Sequence, residues 1–177
     1  NWYYISKCQH LSEDFIEKHK DFVNWDLIST SPLLSEAFIE KHKDFVNWDS
    51  ISRLQPLSEA FIEKHKDLIN WVCISKYQPL SEDFIRKHKN KVDWCSISEY
   101  QPLSEPFIKK NSDLVDWENI SSCQQLSDTF VETHKNELNI AFVDDNWLNK
   151  DTEFKKKAVI DTGLYECYED YFIAYKG

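Results

Sequence analysis

The sequence predicts an all-α solenoid of helical hairpins, two short helices to each 23-residue repeat, and three observations predict it. Segments related to LSEDFIEKHKDFVNWDLIST begin at Leu11, Leu34, Leu57, Leu80, Leu103 and Leu126, every interval being 23 residues with no insertion. Helix-capping residues recur at fixed places within that period. Only two glycines and five prolines punctuate the 177 residues, too few for a turn-rich β fold.

Residues 1–10, NWYYISKCQH, align with the second half of the repeat and read as a half copy. With that opening and no Met anywhere, the chain reads as a piece of a longer protein. In each full copy the first helix opens at Leu-Ser-Glu. Ser12, Ser35, Ser58, Ser81, Ser104 and Ser127 suit the N-cap, and an acidic residue follows in the first turn. Leu11 and Ile16, five apart across the cap, fit a hydrophobic staple. Phe15, Ile16 and His19 share a face, and Lys18 and Lys20 suit the negative end of the helix dipole.

The second helix repeats this logic. Asn24, or Asp93 and Asp116 in later copies, caps it, Val23 and Ile28 bracket the cap, and Trp25 and Ile28 form a short apolar face. Pro56, Pro79 and Pro102 stand where the helix should stop, and Pro106 lies in a first turn, where its missing N–H costs little. A leucine-rich repeat has a similar period but needs an L-x-L strand. Caps, staples and Glu/Lys-rich helix bodies favour helix pairs.

One hairpin cannot bury Phe15, Ile16, Trp25 and Ile28 alone, so neighbours must stack in a line. The column Trp2, Trp25, Trp48, Trp71, Trp94 and Trp117 is expected to be the hydrophobic spine. On that reading, Trp94→Ala costs roughly 3–5 kcal/mol if the ring is fully buried. Residues 11–150 form a six-repeat array whose degenerate last copy, 126–150, reads as a cap. Residues 151–177 are rich in tyrosine and hold both glycines, so they read as a β-rich cap or the start of a further module.

The residues offer little chemistry. No apolar run has the length of a membrane span, and no signal peptide opens the chain, so an intracellular, unsecreted protein is expected. Five cysteines without a CxxC pair fit a reduced setting. His19, His42, His65, His88 and His134 occupy one repeat position, with Asn111 in the odd copy. Stacked copies about 8–10 Å apart hold such rings too far from one another to share an ion. A histidine bonding a carbonyl at the helix C-terminus is the expected role, and no metal or other cofactor is implied. The first-turn glutamates Glu13, Glu36, Glu59, Glu82 and Glu105 are explained by the helix dipole. There is no Gly-rich phosphate loop, nucleophile elbow or spaced Cys–His pair, so the repeats are not expected to be an enzyme. Gln9, Gln55, Gln78, Gln101 and Gln124, with Ser29 and its equivalents, are expected to satisfy backbone groups in the tight connections.

Charge is the most informative surface feature. The chain carries a net charge of -10, which opposes nonspecific binding to nucleic acid or an acidic membrane. Yet lysines gather at the ends of the first helices, and Lys41, Lys43, Lys64, Lys66, Lys87 and Lys89 define a candidate basic edge for phosphates, RNA or an acidic partner. Glu17 and Glu40 interleave with it. Exposed positions that differ between copies, Asp14/Ala37/Ala60/Asp83 and Thr30/Arg53/Lys76/Glu99, are where specificity for a partner would be written.

The pattern L-S-E-x-F-I-x-K-H-K-x-x-V-[ND]-W-x-x-I-S-x-Y-Q, over residues 1–143, resembles short helical repeats in proteins of giant DNA viruses of amoebae and some large phages. The stretch Tyr168–Lys176 resembles the start of a small β module that follows such arrays. The resemblance implies a viral repeat protein, in the host cytoplasm or the virus particle, with no catalytic residues to carry over. The leading expectation is a non-enzymatic scaffold for a protein partner. One alternative is a module that sequesters a nucleotide or RNA along the lysine edge. It expects binding that weakens with salt and on Lys→Glu exchange at Lys64, Lys66, Lys87 and Lys89. Another is a regulatory part of a larger protein whose activity lies in a C-terminal module.

Overall fold

A computed structural model describes residues 1–8, 11–31 and 34–139. Twelve α-helices make up the regular structure of these residues: α1 (Trp2–Cys8), α2 (Glu13–Lys18), α3 (Trp25–Ser29), α4 (Glu36–Lys41), α5 (Trp48–Leu54), α6 (Glu59–Lys64), α7 (Trp71–Tyr77), α8 (Glu82–Lys87), α9 (Trp94–Tyr100), α10 (Glu105–Lys110), α11 (Trp117–Cys123) and α12 (Asp128–Thr133). They alternate as first and second helices of the repeat, giving the all-helical, solenoid-like architecture that the period predicts. The chain divides into two compact units, Asn1–Cys73 and one beginning at Ile74, described as far as Asn139. The expected β-rich segment at 151–177 and most of the capping copy lie outside the described residues, as does Gln9.

Helices of five to seven residues are marginal by themselves. Each is therefore held by its caps and its neighbours. Ser12, Ser35, Ser58, Ser81, Ser104 and Ser127 all cap with extended backbone, their Oγ accepting the N–H three residues on. Asn24, Asn47, Asp93 and Asp116 cap the second helices in the same way. Asn70 accepts from the Cys73 N–H at 3.1 Å. Pro106 sits in the first turn of α10.

The buried centre differs from the expected tryptophan spine. Ile16, Ile28, Ile39, Ile51 and Ile62 in the first unit, and Ile74, Ile85, Ile97, Ile108 and Ile120 in the second, have no exposed surface. The six tryptophans of that column are half-buried. Their indole N–H groups explain why, since a buried indole needs an acceptor. Trp25, Trp48 and Trp71 donate to the carbonyls of Lys20, Lys43 and Lys66 at 3.0–3.1 Å, and Trp94 and Trp117 to those of Lys89 and Ser112. Those acceptors lie in exposed turns, which holds each ring at the rim rather than at the centre. From there Trp25 covers Phe38, His42 and Phe45 of the next copy, with ring centroids 6.2, 4.7 and 5.6 Å away.

Polar ladders join consecutive copies within each unit. The buried serine of each second helix accepts the N-cap N–H of the following copy: Asn47 to Ser29 at 2.8 Å and Asn70 to Ser52 at 2.9 Å in one unit, Asp93 to Ser75 and Asp116 to Ser98 at 2.9 Å in the other. The buried glutamines clamp the connections. Gln101 accepts the Leu80 N–H at 3.1 Å and donates to the carbonyls of Ser75 and Gln78 at 2.9 and 2.8 Å. Gln124 makes the same set, with Leu103, Ser98 and Gln101, and Gln55 a near equivalent, with the Leu34 N–H and the carbonyls of Ser29 and Ser31. The structural role expected of Ser and Gln is the one observed. Ser98→Ala, which strips the Asp116 N–H of its buried acceptor, is expected to cost about 1–3 kcal/mol in urea denaturation.

Candidate functional site

The lysines gather at the C-terminal turns of α2, α4 and α6 in the first unit and of α8 and α10 in the second, and the two sets differ in charge. In the first unit Glu17 Oε2 accepts from Lys41 Nζ at 3.1 Å and from His42 Nε2 at 2.6 Å in the next copy. Glu40 takes Lys64 at 3.0 Å and His65 at 2.6 Å. Lys20 and Lys66 lie 3.7 and 3.4 Å from Glu17 and Glu63. Of the predicted basic residues here, Lys41, Lys64 and Lys66 thus stand against carboxylates, and Lys43 is exposed beside Asp44. The strip of this unit is close to neutral.

His42 and His65 are buried between the tryptophan of the preceding copy and the phenylalanine of their own, His42 being 3% exposed. The expected carbonyl partner is replaced for these two by a glutamate 25 residues upstream, with the ring N–H donating to the carboxylate. His134 does bond a carbonyl, that of Phe130, at 3.0 Å from Nδ1. Among the described residues no group of three or more His, Cys, Asp or Glu stands together as metal ligands. Cys95 is exposed, and Cys73 and Cys123 are half-buried.

The Lys41 ammonium, aided by His42, holds the Glu17 carboxyl below its ordinary 4.5 despite some desolvation. Lys64 and His65 do the same for Glu40. A carboxyl with a folded value below its unfolded value contributes stability above the unfolded value and loses it as pH falls through the folded one. The stabilisation that these two carboxylates contribute relative to Glu17→Gln/Glu40→Gln is therefore expected to shrink as pH falls below 4.5. Urea midpoints taken across the acid range check this, and a difference that grows on acidification would contradict it.

The first-turn glutamates also do more than face a dipole. Glu13, Glu36, Glu82 and Glu105 each accept the N-cap serine N–H of the following copy, Glu13 from Ser35 at 2.6 Å. Their separation of 22 residues hides this from any local reading.

In the second unit the sign changes. The place of Glu17 is taken by Arg86 and Lys109, and each substitution has a counterpart one copy later. Opposite Arg86 the histidine is replaced by Asn111, whose neutral amide donates to the Phe107 carbonyl at 2.8 Å. Opposite Lys109, His134 lies flat on Phe130, at 16° and 4.1 Å, with Thr133 Oγ1 2.9 Å from its Nδ1. His42 and His65 are instead tilted 47–49° to their phenylalanines. Arg86 pairs with Asp83 at 2.7 Å. Lys87, Lys89, Lys91, Lys109 and Lys110 are all exposed, as is Leu114.

The variable positions singled out above divide similarly. Asp14, Ala37, Ala60 and Asp83 are exposed, as are Thr30 and Arg53, while Lys76 and Glu99 are half-buried. Lys76 Nζ lies 4.6 Å above the Tyr100 ring and 5.4 Å above Tyr77. The position of Glu17, Glu40, Arg86 and Lys109 is the one that sequence reasoning missed. Its signal was present: the only histidine replaced by asparagine follows the glutamate replaced by arginine, 25 residues later. Comparison of this chain with known protein families, with curated proteins and with solved structures returns no match.

Proposed function

We propose that the chain is a non-enzymatic protein–protein interaction scaffold, viral in origin as the repeat resemblance implies, acting in the host cytoplasm or the virus particle. One observation carries the reading. The residues that recur in nearly every copy (Ile, Ser, Gln and Trp) are spent on joining neighbours, whereas positions that vary, such as Asp14/Ala37/Ala60/Asp83, face outward. A repeat array of this kind offers an extended surface whose chemistry is set copy by copy. The carboxylates beside Lys41, Lys64 and Lys66 favour this reading over nucleotide or RNA capture along the whole edge. No helix among the described residues is long and apolar enough to cross a membrane.

Photo-crosslinking from exposed positions Ala37 and Ala60, followed by mass spectrometry, tests the proposal. A discrete protein adduct is expected. Finding none under any condition would overturn it.

A further inference from the structure

We infer that matched side chains at two contacts per junction form a code that fixes the order of the copies. It concerns how copies recognise one another and stands apart from the scaffold reading.

Near-identical copies can pack out of order, a characteristic failure of repeat proteins. The buried isoleucines and serines cannot prevent it, because they are the same in copy after copy. Discrimination needs contacts that differ between junctions and penalise the wrong match.

The first contact runs from the seventh residue of one copy to the eighth and ninth of the next. Glu17 meets Lys41 and His42, and Glu40 meets Lys64 and His65, at 2.6–3.1 Å. By sequence, Glu63 likewise precedes Lys87 and His88. Where the seventh residue is basic, the Lys-His pair that follows it loses one titratable member. Arg86 precedes Lys110 and Asn111, and Lys109 precedes Thr133 and His134.

The second contact runs from the sixteenth residue of one copy to the N-cap of the next second helix. The Asn47 amide donates to Asp26 at 3.0 Å, and the Asn70 amide to Asp49 at 2.9 Å. Glu118 and Asn139 hold the same places later in the chain. Asp93 and Asp116 replace the asparagine, and the residues at the upstream place are then Val72 and Cys95. Tyr3 with Asn24 completes the six, and in none does acid stand before acid. Asn and Asp cap a helix about equally well, so capping alone does not explain the choice. The upstream residue does, since a carboxylate accepts from an amide and repels another carboxylate.

A wrong order breaks both matches. Exchanging residues 34–56 with 80–102 sets Asp26 before Asp93, Asp49 before Asp116, and Arg86 before Lys64 and His65.

Urea denaturation of the full chain at low salt tests the code, with circular dichroism as the readout. Asn47→Asp, which sets a carboxylate against Asp26, is expected to lower the midpoint by about 0.3 M or more, and added salt to shrink the loss. The same change in an Asp26→Val background should cost little. Asp49 remains in the first turn there, but Glu118 holds that place beside the native Asp116. Asp116→Asn, whose upstream residue is Cys95, should also cost little. The chain with exchanged copies should be less stable than the parent, and Asp93→Asn, Asp116→Asn and Arg86→Glu together should recover most of the loss. An equal fall from Asn47→Asp with and without Asp26 overturns the inference. So does an exchanged chain as stable as the parent, or one that the three changes fail to rescue.

Discussion

Ile97→Ala is expected to be among the most damaging single truncations in the described residues, at about 2–5 kcal/mol. Ile97 has no exposed surface and lies mid-helix in α9, so the lost methyl and methylene groups leave a cavity that no solvent-facing chain can fill. Trp94→Ala should fall below the ~3–5 kcal/mol of a fully buried indole, because the ring is half-buried at the rim. Phe45→Ala supplies the contrast. Phe45 stacks on Trp25 but is 61% exposed, and its loss should cost under about 1 kcal/mol. Urea midpoints of the three variants rank them. An Ile97 variant as stable as the Phe45 variant would mean that the isoleucine column is not the core.

Gln101→Leu should rival that cost through polarity rather than volume. The amide serves three backbone groups: the Leu80 N–H and the carbonyls of Ser75 and Gln78. Each buried group left without a partner costs about 1–3 kcal/mol, so a total of about 3 kcal/mol or more is expected. Leucine restores apolar bulk but none of the bonds. Hydrogen exchange gives a second measurement, since the Leu80 amide should exchange faster in the variant by a factor greater than global destabilisation predicts. Unchanged exchange at Leu80 would mean that another acceptor takes over.

What could be read from the sequence follows the distance over which each feature is encoded. The caps at Ser12 and Asn24 were legible because an N-cap is decided within four residues, and the period magnified them six times. The roles of Gln55 and Ser29 were legible because small polar residues in tight connections have few other uses. The tryptophans were misplaced because hydrophobic rank says nothing about where an indole N–H finds its acceptor. Only the carbonyls of Lys20 and its equivalents decide that. The partners of Glu13 and Glu17 lie 22 to 25 residues away, in another copy, and became visible only once the copies were stacked. The candidate edge was legible as lysine-rich, but its charge was not, since that depends on which lysines meet glutamates across the seam. In the first unit they do.

The contact between Glu17 and the histidine of the following copy has an evolutionary corollary. Tandem arrays change length by whole periods, and here the junction chemistry decides which changes are harmless. Duplicating residues 34–56 in place would set Glu40 against a second Lys41 and His42, a match already present once. Inserting the same segment after Pro102 would set Arg86 against that lysine and histidine, with no carboxylate between them. The first three copies can thus multiply by simple slippage, whereas growth beyond Arg86 demands a coordinated change on both sides of the new junction.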